Sequence, residues 1–84
     1  MKLLKIQESL NQKGYVTQIH NSIKSLTIAL PDEDGNPKIG TTSRVEIKDD
    51  SFVFIYYSAQ VPMENKFNQE KELLEFIFLK FPIE

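Results

Sequence analysis

Phe52-Val53-Phe54-Ile55-Tyr56-Tyr57 is six large apolar or aromatic residues without a polar break. In a strand, successive side chains point to opposite faces. Phe52, Phe54 and Tyr56 therefore share one face, and Val53, Ile55 and Tyr57 share the other. A small antiparallel sheet usually hides one face and wets the other. This strand instead asks for cover on both sides, from a second layer of its own chain or from a partner.

The neighbouring segments place that strand in a sheet. Asp49-Asp50-Ser51 reads as a tight turn leading into it. Before the turn, Val45 and Ile47 alternate with Arg44, Glu46 and Lys48, which defines a strand running from about Lys38 to Lys48. Pro31-Asp32-Glu33-Asp34-Gly35-Asn36-Pro37 is the strongest loop signal, two prolines around an acidic Asp-Gly turn. Upstream, Ile23–Leu30 alternates Leu26, Ile28 and Leu30 with the small set Ser25, Thr27 and Ala29. Tyr15–His20 forms a first strand with Tyr15, Thr17 and Ile19 on one face, and Asn21-Ser22 a turn. Val61-Pro62-Met63 reads as a loop leading out of the sheet.

Helical periods flank the strands. Leu3, Ile6 and Leu10 recur at i, i+3 and i+7, with Leu4 on the flank. Gly14 follows as a stop, because a left-handed residue ends a helix at little cost when it is Gly. At the other end, Asn68 is placed as an N-cap with Glu70 and Glu72 near the positive helix terminus. Leu74, Ile77, Phe78 and Phe81 make the core face, with Leu73 beside it, and Pro82 ends the run. Phe76 and Leu79 fall outside that face.

The order is α-β-β-β-β-α. It predicts one small α+β domain over residues 1–84, an antiparallel sheet of three or four strands with a helix at each end of the chain. The chain's 84 residues suffice for one domain and not two. Hydrophobic residues make up 40% and charged residues 26%, which separates the chain from disordered sequences. Six Phe and three Tyr supply core bulk.

Composition also excludes functions. There is no Cys, hence no disulfide framework, zinc–thiolate site or thiol chemistry. No apolar run approaches the ~20 residues that cross a bilayer. The first residues carry charge too early for a secretory signal. The expectation is a soluble cytoplasmic protein that does not engage membranes. The net charge is −2. Lys2, Lys5, Lys13 and Lys24 face only Glu8 in the first thirty residues, and the acidic excess lies beyond. Proteins that grip nucleic acid need a clear basic face, and only the first helix offers a weak one.

No catalytic, cofactor or metal motif emerges. With Gly35 at position 6 of a calcium loop, positions 1 and 12 fall on Leu30 and Thr41, which are not the required ligands. His20 is the lone histidine, and no adjacent residue supplies the nucleophile and orienting carboxylate that a general base needs. Glu72 and Glu75 form a solvated helix side. Gly40-Thr41-Thr42-Ser43-Arg44 lacks a phosphate-loop signature. An exposed aromatic strand can stack bases, but Asp49 and Asp50 are the wrong charge beside it.

A helix, then Lys13-Gly14-Tyr15, then a strand hairpin resembles in outline the double-stranded-RNA-binding domains and the HicA-type toxin ribonucleases. The HicA family carries its His in a Gly-Ser-His motif, whereas Ile19 precedes His20 here. The RNA-binding domains open the last helix with lysines, where this chain has Gln69-Glu70-Lys71-Glu72. No site residue is carried across from either. In size the chain is similar to small phage-encoded anti-CRISPR inhibitors.

The functional expectation is a small non-catalytic protein-binding or regulatory module without a cofactor. A stoichiometric inhibitor of the kind encoded by phages or mobile elements is one form of it. The alternative is a nucleic-acid-associated protein using the lysine-bearing first helix. The candidate interface is Val53, Ile55 and Tyr57 with Phe76 and Leu79, an apolar patch that a partner or a second copy would cover.

Overall fold

The computed structural model describes residues 2–83. Helix α1 spans Lys2–Lys13 and helix α2 spans Glu70–Lys80. Between them run β1 (Val16–His20), a single 3₁₀ turn (Asn21–Ile23), β2 (Ser25–Ala29), β3 (Ser43–Lys48), β4 (Ser51–Ser58) and β5 (Val61–Phe67). The strands form one antiparallel meander in the order β1-β2-β3-β4-β5. The domain is α+β with a helix at each end, and the sheet has five strands rather than the expected three or four.

The extra strand is β5, expected as an exit loop. Its residues Glu64, Asn65 and Lys66 have low strand propensity, and Pro62 cannot donate to a ladder. Tertiary pairing overrides both. Every residue of β5 has a partner on β4, from Phe67 opposite Phe52 to Val61 opposite Ser58. A two-residue turn closes on the Ser58–Val61 pair, and such a turn makes its closing pair the hydrogen-bonded one, so alternation along the ladder makes Tyr57–Pro62 a non-hydrogen-bonded pair. The Pro62 nitrogen therefore faces the free edge, where a missing N–H costs the sheet nothing and discourages a sixth strand. The turn itself, Ala59-Gln60, has both residues left-handed, at φ +50° and +67°. Neither is Gly or Asn, so the usual hairpin signal is missing from the sequence.

Helix α1 ends as its sequence predicts. Gly14 adopts φ +105°, its N–H bonds the Asn11 carbonyl at 3.0 Å, and the Tyr15 N–H bonds the Leu10 carbonyl at 3.0 Å. These two bonds are a Schellman cap, and Tyr15 and Leu10, the positions whose apolar contact usually accompanies it, both lie in the core. At α2 the cap differs from expectation. Gln69 is the N-cap residue and makes no side-chain cap bond. The Asn68 Oδ1 instead accepts from the Ser51 Oγ at 3.1 Å, tying the start of β4 to the end of β5.

Both helices lie on one face of the sheet. Leu3, Ile6 and Leu10 of α1 and Leu73 and Ile77 of α2 share a single core with Leu26, Ile28, Val45, Phe52, Phe54 and Tyr56. The predicted face of β4 is thus the core face. Phe76, placed by its period outside the helix stripe, packs into this core too. Its ring meets Phe54 edge-on at 5.9 Å and lies 5.3 Å from Phe67 between centroids. The reason is the breadth of the α2 stripe. At ~100° per residue, Phe76 flanks Leu73 and Ile77 on the side of β5, and Phe78 flanks them on the side of α1. Phe78 accordingly stacks on Tyr15.

Candidate functional site

With both helices on one side, the other face of the sheet has no layer over it among the described residues. Register fixes its occupants. Across one row stand His20, Ser25, Glu46, Val53 and Lys66; across the next, Gln18, Thr27, Arg44, Ile55 and Glu64. Beyond them lie Val16, Ala29, Tyr57 and Pro62.

Val53 and Ile55 are each only 7% exposed despite the open face. Val53 sits between Glu46 and Lys66, and Ile55 between Arg44 and Glu64. Cross-strand neighbours stand ~5 Å apart at Cβ, so the aliphatic stems of these four long side chains roof the two apolar residues while their charges reach water. The second cover that the apolar strand demands thus comes from its neighbouring strands, not from a second layer.

The four charges alternate in sign around β4: Arg44 and Glu64 flank Ile55, and Glu46 and Lys66 flank Val53. The Arg44 Nε lies 3.3 Å from the Glu46 carboxylate, and the Lys48 Nζ 3.8 Å from it. Glu64 and Lys66 are exposed and make no ion pair among the described residues.

Tyr57 is the apolar residue the roof does not reach, at 61% exposure. Nothing longer than Pro62 stands opposite it on β5. A hollow of about 170 Å³ opens beside it, lined by Thr27, Thr42, Ser43, Arg44, Ile55 and Tyr57. Of the five residues expected to form an interface, Val53, Ile55 and Tyr57 share this open face. Phe76 and Leu79 lie on the helix side, separated from them by the sheet. Phe76 is half-buried in the aromatic cluster, and Leu79 is 77% exposed by itself. The apolar patch joining all five does not form. The residues that sequence reasoning missed are Arg44, Glu46, Glu64 and Lys66. Their signal was the charge at every second position of two strands.

The row His20, Ser25 and Glu46 brings imidazole, hydroxyl and carboxylate onto adjacent strands. A nucleophilic relay needs the imidazole between the other two. Here the serine is in the middle. Its Oγ is closed to solvent and has no hydrogen-bond partner among the described residues. The His20 Nε2 lies 3.1 Å from the Thr27 Oγ1. The arrangement is a cross-strand His–Thr hydrogen bond.

The acidic loop is built as a turn. One Asp32 carboxylate oxygen accepts the N–H groups of Asp34 and Asn36, both at 2.9 Å. Among the described residues no group of His, Asp or Glu is arranged to hold a metal ion. Downstream, the Thr41 hydroxyl accepts from the Leu30 N–H at 3.0 Å and donates to the Lys38 carbonyl at 2.7 Å. This pins the loop off the ladder, and β3 starts at Ser43 instead of near Lys38. On α1, Lys5 is exposed and the Lys13 ammonium lies 5.7 Å from the centre of the Phe78 ring. Among the described residues no helix is long and apolar enough to cross a membrane.

No protein-family model, curated protein or solved structure gives a significant match to this chain.

Proposed function

We propose that this protein is a small non-catalytic binding module that works through the open face of its sheet. The observation that carries the reading is Tyr57. It is a large, exposed aromatic on a strand paired on both sides, beside a shallow hollow and bordered by charges of both signs. A Tyr held this way offers contact area at low entropic cost, and aromatic anchors of this type dominate protein interfaces. Mixed charge around it favours a protein surface over a polyanion. A stoichiometric regulator or inhibitor is one form such a binding module takes.

The test compares wild type with Tyr57→Asp. Both are immobilised and exposed to extract of the native cell. Captured proteins are then purified and titrated against each form by calorimetry. The reading expects a one-to-one complex with wild type, weakened at least tenfold by Tyr57→Asp while the melting curve is unchanged. Equal binding by both forms, or retention of nucleic acid in a salt-sensitive manner instead of protein, overturns it.

A further inference from the structure

Resting on the reading that the open face binds protein, we propose that its partner is a second copy of this chain, packed face to face about a two-fold axis parallel to β4. The four charges that roof Val53 and Ile55 carry a self-complementary sign pattern. A two-fold axis along β4 exchanges the two sides of the strand. It sets β3 of one copy over β5 of the other while keeping each residue at its own height. Arg44 then meets the second copy's Glu64, and Glu46 meets the second copy's Lys66, because these residues share rows. Every cross-copy encounter is between opposite charges, and each occurs twice. Glu64 and Lys66, without ion-pair partners among the described residues, gain them. Packed sheets stand ~10 Å apart, a gap that two long charged side chains span together. The ~30° angle between packed twisted sheets displaces positions one strand from the axis by only a few ångströms.

The same axis brings Tyr57 onto Tyr57 of the second copy. It thereby covers the apolar residue that its own chain leaves exposed. An axis across β4 also alternates signs, but it carries Tyr57 to the opposite end of the face, over the region of Ser51 and Lys48. The axis along the strand is the one that satisfies the charges and sets the two tyrosines, aromatic on aromatic, against each other.

Because β4 stands one strand from the sheet edge, only β3, β4 and β5 of the two copies overlap, a patch of roughly 14 Å by 17 Å. Two copies bury on the order of 500 Å², the size of a transient contact rather than a permanent one. The dimer is therefore weak, concentration-dependent and salt-sensitive, since its pairs lie at a wet rim.

Sedimentation of Arg44→Glu, of Glu64→Lys and of their equimolar mixture tests it. Each variant alone sets like charges opposite one another twice, and its dimerisation constant should weaken at least tenfold. In the mixture, Glu at 44 faces Lys at 64 and Arg44 faces Glu64, so a heterodimer should return to near wild-type affinity. A mixture no better than its components overturns the proposal. Arg44→Glu also removes the internal contact to Glu46, so a second measurement avoids that residue. The chain has no Cys, so Tyr57→Cys and Leu79→Cys each carry one thiol. A bis-maleimide of about 10 Å, matched to the sheet spacing, should link Tyr57→Cys into dimers and leave Leu79→Cys, on the helix side, monomeric. Equal linking at both positions, or a wild type that stays monomeric at high concentration, overturns the proposal. A monomer whose Tyr57→Asp variant still loses a bound protein sinks the dimer and spares the binding reading. A monomer with no Tyr57-dependent binding sinks both.

Discussion

The Tyr15 hydroxyl donates a hydrogen bond to the backbone carbonyl of Phe81, 66 positions further along the chain. It fastens the second residue after α1 to the first residue after α2. The Phe81 N–H in turn bonds the Ile77 carbonyl at 2.8 Å, so the closing turn of α2 is held at both ends. The contact sits against the Tyr15–Phe78 stack, where little water reaches.

Burial pushes the Tyr15 phenol above its ordinary value, because the phenolate would lose its hydration. The sign of the pH effect follows. Below the unfolded value, about 10, both states hold the proton and the contribution to stability is complete. As pH rises through the raised folded value, the unfolded chain has already released its proton and stability falls. Tyr15→Phe should cost about 1 kcal/mol at neutral pH through the lost hydrogen bond, and should flatten the decline above pH ~10. Urea titrations of both proteins from pH 7 to pH 11 check this. Parallel declines would show that Tyr15 is not the group responsible.

Phe54 is fully buried at the centre of the aromatic cluster, against Tyr56, Phe76 and Phe81. Phe54→Ala should cost about 3–5 kcal/mol, the transfer loss plus the cavity. Leu79→Ser, by contrast, removes a side chain that stands in water and should stay within about 0.5 kcal/mol of wild type. Thermal melts of the two variants measured together test the assignment of core and surface on α2's side of the sheet. Similar shifts in both would contradict it.

The β4–β5 turn is under conformational strain. Ala59 and Gln60 both occupy the left-handed region, which costs an L-residue roughly 1 kcal/mol each. Replacing the pair with Asn-Gly, the sequence such a turn prefers, should stabilise the protein by about 1–2 kcal/mol. Denaturant midpoints report the gain. An unchanged midpoint would mean that the native turn is already relaxed.

The sequence by itself determined what depends on local period and local stereochemistry. Alternation in Phe52–Tyr57 sorts its side chains into two faces. The spacing of Leu3, Ile6 and Leu10 gives α1 its buried stripe, and Gly14 ends it, because only neighbours within a turn are needed to define these features. The tertiary structure decided what depends on partners far along the chain. β5 is polar and carries a proline, and it is a strand only because β4 stands beside it. Phe76 is a core residue only because α2 sits over β4 and β5. Whether the helices share a face cannot be written in either helix, since each needs only an apolar surface to cover. That choice left Val53 and Ile55 without a layer above them. Strand register, which no local window contains, then set Arg44, Glu46, Glu64 and Lys66 around them as cover and left Tyr57 exposed.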